Sequence, residues 1–370
     1  MQTSEVIVLG GGVIGCGVAY ELACRGARVK VIDRREIGLG ATQAAAGVLA
    51  PYLQSHQGSP LVELGARSLA LYDEFVARVV EDSGSAVQYT RSGTLEVAMD
   101  DASFSRLQEL GQILRESHVA VEVLDASSVR TLEPQLTNQI LGGLLVKPHG
   151  FVAAAELTSA LQRAAVAHGV TFVSSTMVKG VVRQGDGLRV VTATEKFSCD
   201  KVVLAAGSWS GQIEIEGADT MPVRPVRGQL LHLDWPTTRL NRVVWAVDCY
   251  LVPWTDGSVL VGATVEDVGF DERATVKGLQ QLLEVAREIA PAVGDAWFKA
   301  VRVGLRPSTP DHLPVIGQST CLKGLVYATG HYRNGILLAP LTASLVADLV
   351  LEEKNDSILD SVVPSRFGKC

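Results

Sequence analysis

The 370-residue sequence has little of several things, beginning with aromatic residues (5%) and charge (20%). Lys and Arg number 33 against 40 Asp and Glu, a formal net charge of −7. A surface that tracks nucleic-acid phosphates needs concentrated basic residues, so no nucleic-acid partner is expected. No run of about five or six like charges occurs, which excludes an acidic or basic tail. The six cysteines, Cys16, Cys24, Cys199, Cys249, Cys321 and Cys370, form no Cys-x-x-Cys pair and no Cys/His cluster with metal-ligand spacing. They read as small buried apolar residues of a reducing compartment, and no metal is expected. Long hydrophobic runs are also missing, although the mean hydropathy is +0.22. The N-terminal apolar run lacks a basic flank and is broken by Gly10-Gly11-Gly12. The segment from Ile336 to Leu351 contains Pro340 and Asp348 and falls short of the ~20 apolar residues of a span. It reads as a buried helix, and the chain as a soluble cytoplasmic protein without a membrane span.

What is present is core-forming: 47% of residues are hydrophobic and 36 are glycine. At ~100–200 residues per domain, the length suggests about two domains. Val6-Ile7-Val8-Leu9 reads as a parallel strand buried on both faces. A helix from Val13 to about Arg25, closed by Gly26, and a strand Val29–Ile32 complete a strand–helix–strand unit. Helical spacing recurs from Leu61 to Val80, at 102–117, at 153–168 and at 273–290. Strands are expected at 87–99, 121–124, 170–173 and 201–205, with strand-rich sequence from Val223 to Val261. Gln184-Gly185-Asp186-Gly187 and Asp256-Gly257 read as hairpin turns.

The expected fold is α/β (α+β overall). A Rossmann-like domain is assembled from discontinuous segments, 1–85, 147–221 and 304–370. A domain on a mainly antiparallel sheet, 86–146 and 222–303, is inserted into it.

Gly10-x-Gly12-x-x-Gly15 lies between the first strand and its helix, and Asp33 ends the second strand. Gly10 permits the tight turn and Gly12 the approach of a pyrophosphate. Gly15 permits close helix–strand packing, and Asp33 can accept ribose hydroxyls. The motif identifies a dinucleotide site without choosing between FAD and NAD. Ala41-Thr42-Gln43-Ala44-Ala45-Ala46-Gly47 is either a close-packed helix start or a place where backbone approaches a flat ring. Gly330-His331-Tyr332-Arg333-Asn334-Gly335 is either a plain helix cap or a positive helix end facing an electron-rich carbonyl edge.

These segments, with Ala205–Ser210, Pro225–Gly228, Gly304–Pro307, Thr309–Gly317 and Gly330–Pro340, resemble the FAD-dependent D-amino acid oxidase and sarcosine oxidase group. Within it the chain is most similar to the glycine oxidases of thiamine thiazole biosynthesis. The resemblance covers essentially the whole chain.

It implies FAD contacts at Gly10, Gly12, Val13, Ile14, Gly15, Asp33, Arg34, Ala41, Thr42, Ala46, Gly47, Val48, Val178 and Gly207. Further FAD contacts fall on the loop His331, Tyr332, Asn334, Gly335, Ile336 and Leu337. The substrate carboxylate falls on Tyr250 and Arg306, with Arg333 close by. A guanidinium pairs with a carboxylate bidentately and a phenol adds one directional bond. No side chain is required as an obligatory acid or base, and His331 reads as a loop residue near the flavin.

Ala50-Pro51-Tyr52 is expected to border the substrate pocket. The position that carries the covalent flavin link in sarcosine oxidases corresponds to Gly304, so non-covalent FAD is expected. The implied reaction is oxidative deamination of glycine, small amines or D-amino acids, with molecular oxygen as acceptor. A homotetramer is also implied. A D-amino acid, D-proline or sarcosine oxidase, or a dehydrogenase serving a partner acceptor, stays open. So does a nicotinamide-dependent dehydrogenase.

Overall fold

The computed structural model describes residues 4–53, 59–235, 240–246 and 249–369. Ser4–Leu9 lies parallel to Val29–Ile32 on one side and to Lys196–Leu204 on the other. Thr171–Val173 and Leu325–Thr329 extend the parallel array outward, also in parallel. These strands form the centre of a nine-stranded sheet whose remaining members are antiparallel additions or short edges. Val6, Ile7, Val8 and Leu9 are each at most 1% exposed. Val6 and Val8 join one hydrophobic cluster while Ile7 and Leu9 join another, as period-2 side-chain alternation in a doubly covered strand requires. Each such side chain contributes about 1.5–3 kcal/mol of apolar burial.

Helices Val13–Cys24, Ala154–Ala167, Pro60–Ser83 and Gly335–Leu351 pack together over one face of this sheet. Gly17 brings the first helix within van der Waals reach of Ala343 on the last. Pro340 sits inside that last helix and has no N–H to give the Ile336 carbonyl. The Tyr72 hydroxyl donates to that carbonyl at 2.5 Å, and Ser68 Oγ donates to the Leu337 carbonyl at 2.6 Å. A buried neighbouring helix thus satisfies the acceptor that proline releases. Among the described residues no helix is long and apolar enough to cross a membrane.

The second sheet has eight strands and its own hydrophobic core. Its pairings are antiparallel except between Val243–Trp245 and Thr94–Ala98. A small third sheet of Val48–Leu49, Gly150–Val152 and Tyr89–Thr90 lies where the chain crosses from one sheet to the other.

Three expectations are corrected. The strand placed at 201–205 begins at Lys196, because its polar first half pairs with the hairpin strand Gly187–Thr192. A helix over Ala126–Leu132, capped by Asp125, was not anticipated in so short and polar a segment. The cysteines are not uniformly buried: Cys16, Cys199 and Cys249 are, whereas Cys24 is exposed and Cys321 intermediate. Cys24 is the last residue of its helix and Cys321 lies in a turn, so neither position is roofed by a second layer. Cys370 lies outside the described residues.

Candidate active site

A cavity of about 500 Å³ lies at the carboxyl ends of the parallel strands, where Leu9, Ile32, Ala205 and Thr329 reach it. This is where open parallel sheets place their ligands. Its opposite wall comes from the second sheet, through Leu230, Trp245, Tyr250, Ala263 and Arg306.

At the first helix, Gly10 takes φ +109, and a Cβ there would sit 2.3 Å from the Ala205 carbonyl oxygen. At Gly15 a Cβ would fall 1.8 Å from the Gly10 oxygen, so the turn is closed by backbone alone. The helix N-cap, Gly12, offers no side-chain cap, and the first turn holds no acid. The Val13 N–H donates to Thr42 Oγ1 at 3.2 Å, which ties the 3₁₀ turn Ala41–Ala44 to the helix start. Asp33 accepts the N–H of Gly11 at 2.6 Å and of Arg35 at 2.8 Å. Burial lifts its carboxyl above the usual range against those bonds. Gly47, at φ +77, has its Cβ position 1.7 Å from the Val152 oxygen, where the loop crosses the small sheet.

The last helix presents a second uncapped N-terminus. Asn334 is its N-cap without a side-chain bond, and no acid lies in its first turn. His331 is buried beside it with Nε2 3.1 Å from the Thr342 hydroxyl. Burial pushes its pKa down to about 3, so its imidazole is neutral.

On the opposite wall, Arg306 and Tyr250 meet. Their strands lie on either side of Arg224–Asp234 and Ser258–Gly262 in the second sheet. Arg306 Nη1 donates to the carbonyls of Thr264 at 2.9 Å and Arg227 at 3.3 Å. Burial pushes the Tyr250 phenol up, opposed by the positive charges of Arg306 and Arg333. Arg333 is exposed at the rim, with its guanidinium 5.2 Å from the centre of the Tyr332 ring.

Of the residues singled out from the sequence, Gly10, Gly12, Val13, Ile14, Asp33, Arg34, Ala41, Thr42, Ala46, Gly47, Val48, Val178, Gly207, His331, Tyr332, Gly335, Ile336, Tyr250, Arg306 and Arg333 line this cavity. Gly15, Asn334 and Leu337 do not. Gly15 is packed behind the turn, Asn334 caps the helix, and Leu337 points into the helix core. Ala50, Pro51 and Tyr52 also do not line it, contrary to expectation. Ala50 and Pro51 are buried, Pro51 beneath the helix Pro60–Ser83 and 2.7 Å from the Cβ position of Gly65. Tyr52 stacks on His149 at 5.3 Å.

Other contributors were missed. Trp209 carries the guanidinium of Arg34 at 5.1 Å and of Arg35 at 4.5 Å. Trp245 leans on the Tyr250 ring at 5.1 Å. Gly228 and Gly262 leave room for the site: a Cβ would fall 2.3 Å from Arg306 Nη2 and 2.7 Å from the Tyr250 hydroxyl, respectively. A lone glycine inside a strand is a signal of such close approach, and it was available in the sequence. Away from the cavity, Cys24, Asp82 and His168 bring ligand atoms within 4.8 Å of one another, a cluster that sequence spacing does not reveal.

Two uncapped helix ends, a glycine-lined turn and a neutral histidine form a wall suited to a pyrophosphate and a flat ring with a polar edge. The arginine–phenol pair faces it across the cavity. That combination fits a dinucleotide cofactor on one wall, faced by an arginine–phenol pair on the other. The chain belongs to the family of FAD-dependent oxidoreductases, whose model matches residues 5–349. FAD is its cofactor.

The chain is 34% identical over 372 residues to the bifunctional protein ThiO/ThiG of Synechocystis sp., covering 99% of this chain and 54% of that protein. It therefore spans about half the length of that relative. It is 33% identical to the glycine oxidase of Geobacillus kaustophilus, covering 96% of this chain and 94% of the relative. The crystal structure of glycine oxidase from Geobacillus kaustophilus superposes with a TM-score of 0.94 at 32% identity, covering 99% of each chain.

Proposed function

We propose that the chain catalyses oxidative deamination of glycine, and of other small amines or D-amino acids, to the imine or oxo acid, ammonia and hydrogen peroxide. The carrying observation is the Arg306–Tyr250 pair on the wall opposite the two uncapped helix ends. Arg306 holds the substrate carboxylate by its free N–H groups and Tyr250 donates one further hydrogen bond. Arg333, at the rim, adds positive charge where an anionic substrate enters.

FAD, bound here without a covalent link, would supply the two-electron chemistry that links substrate to oxygen. The N–H groups of Gly12 and Ile14, flanking the Val13 N–H already given to Thr42, fit its pyrophosphate, and those at Gly335–Leu337 fit its ring edge. The chain's own part is orientation: with the carboxylate fixed, the α-carbon is presented in one geometry, and that ordering supplies much of the rate. His331 stays neutral and anchored to Thr342, so it shapes the wall and is not used as a base.

This reading assigns FAD to segments 1–85, 147–221 and 304–370, and substrate to 86–146 and 222–303, with Arg306 reaching the substrate from just past that boundary because its strand, Trp297–Ser308, crosses it. It places the enzyme in the cytoplasm as a homotetramer and makes it a source of glycine imine for thiazole formation. The relation to ThiO/ThiG and glycine oxidase supports that role.

The test is to mix purified protein with glycine anaerobically, follow flavin absorbance, and then admit air. Bleaching followed by recovery with peroxide is the expected result. A yellow protein unchanged by glycine overturns the glycine assignment. Bleaching without rapid recovery in air replaces the oxidase by a dehydrogenase that serves another acceptor.

A further inference from the structure

The guanidinium of Arg306 is fixed before any ligand arrives. Nη1 commits its N–H groups to the carbonyls of Thr264 (2.9 Å) and Arg227 (3.3 Å), which leaves Nη2 and Nε for a ligand. Below it Gly228 provides a flat floor, since any Cβ there would collide with the guanidinium.

Both supporting residues are held by one side chain. Glu266 Oε1 accepts from the Thr264 hydroxyl at 2.6 Å and from Gln229 Nε2 at 2.7 Å. Glu266 Oε2 accepts from Arg227 Nη2 at 2.5 Å. The backbone repeats the link, because the Glu266 N–H donates to the Arg227 carbonyl at 3.0 Å, the same oxygen that receives Arg306. Thr264 is pinned from the other side by the Gln229 N–H, which donates to its hydroxyl at 2.9 Å. Arg227 has a 4% exposed side chain and Glu266 a 24% exposed one, so the pair is buried at Arg227 and only partly open to solvent at Glu266. Burial opposes the charge on Glu266, yet the bonds from Arg227, Thr264 and Gln229 hold its carboxyl below the usual range.

We propose that Glu266 is a positioning residue for substrate recognition. Through Thr264 and Arg227 it holds the Arg306 guanidinium flat over Gly228, in the orientation that receives the substrate carboxylate. The inference rests on reading Arg306 as the carboxylate anchor. Bidentate pairing demands coplanarity, so a tilt of the guanidinium weakens it without removing any charge. Asp271 lies 3.4 Å from Arg227 Nη1, so neutralising Glu266 does not leave Arg227 buried and unpaired.

The test compares the E266Q, T264V and T264S holoenzymes with the unsubstituted one. Acetate, a carboxylate without an amine, is titrated against flavin absorbance, and glycine kinetics are measured beside it. The expected result in E266Q and T264V is an acetate Kd and a glycine KM both raised about tenfold (about 1.4 kcal/mol). Turnover stays within about twofold, bound flavin and thermal midpoint are unchanged, and T264S keeps the parental values.

Unchanged acetate Kd in E266Q overturns the proposal. So does a loss of flavin and thermal midpoint in E266Q and T264V that T264S shares. Should glycine fail to bleach the flavin while acetate still binds and weakens in E266Q, the substrate assignment falls and the positioning role stands. Absence of any acetate effect in the unsubstituted protein overturns both.

Discussion

The two walls of the cavity are built in different ways. The glycine-turn part of the dinucleotide wall is local: Gly10, Gly12, Gly15, Asp33, Thr42 and Gly47 lie within one strand–helix–strand stretch and the loop after it, and the last helix end joins them from far along the chain. Its geometry is set by backbone that no side chain could replace, with Cβ positions 1.8 Å and 1.7 Å from carbonyl oxygens at Gly15 and Gly47. The arginine–phenol wall is non-local. Arg306 and Tyr250 come from strands separated in the sheet by two others, and Arg306 is oriented by carbonyls of residues from yet other segments. Side-chain chemistry dominates there, and glycine serves only to make room. Substitution in the first wall is therefore expected to remove cofactor and fold together, whereas substitution in the second removes substrate affinity alone.

The sharpest way to break that contrast is Gly47→Ala. A Cβ at φ +77, 1.7 Å from the Val152 oxygen, forces the loop from the small sheet. The expected loss is about 3 kcal/mol or more, together with most of the bound flavin. Flavin per chain and the thermal midpoint measure it, and a yellow, stable G47A protein would contradict a backbone-built wall.

Next in size is Arg306→Ala, which leaves flavin in place and raises the glycine KM by about 10²–10³, the range for losing a buried charged partner. Steady-state kinetics with a flavin absorbance check decide it; unchanged saturation removes Arg306 from the site.

A pH effect, of intermediate size per pH unit, separates stability from the site altogether. His149 is buried with Nδ1 2.7 Å from the Thr94 hydroxyl, and burial pushes its pKa down to about 3. The unfolded chain takes up that proton below about 6.5, whereas the folded chain does not. Stability from the neutral ring is therefore full above about pH 6.5 and lost as pH falls toward 3, by about 1.4 kcal/mol per pH unit. Denaturant titrations at several pH values are expected to show a shallower slope over this window in His149→Gln. An identical slope would mean that His149 is charged in the fold.

The smallest effect belongs to Tyr250→Phe. One hydrogen bond of about 1 kcal/mol is lost, so KM rises about fivefold with flavin content unchanged.

Legibility in the sequence follows the same division. The first strand, its helix and the second strand appear at their expected places because a doubly buried strand and a glycine turn leave little else possible. Ala50-Pro51-Tyr52 was misplaced because adjacency to Gly47 suggests the pocket, while the chain turns beneath the helix Pro60–Ser83 at that point. Trp209 was passed over because nothing near it in sequence shows that Arg34 and Arg35 lie against its ring. Gly228 and Gly262 were legible as glycines inside strands, but not which side chains they accommodate.

The sequence alone determined the dinucleotide turn, the parallel core and the residue types able to hold a carboxylate. Those depend on local sterics, on side-chain alternation along a strand and on the chemistry of single residues. Only the tertiary structure decided that Arg306 and Tyr250 face one cavity, that Glu266 stands behind them, and that Tyr52 does not. Those outcomes depend on strand register and on where separate segments cross, which emerge only when the whole chain packs.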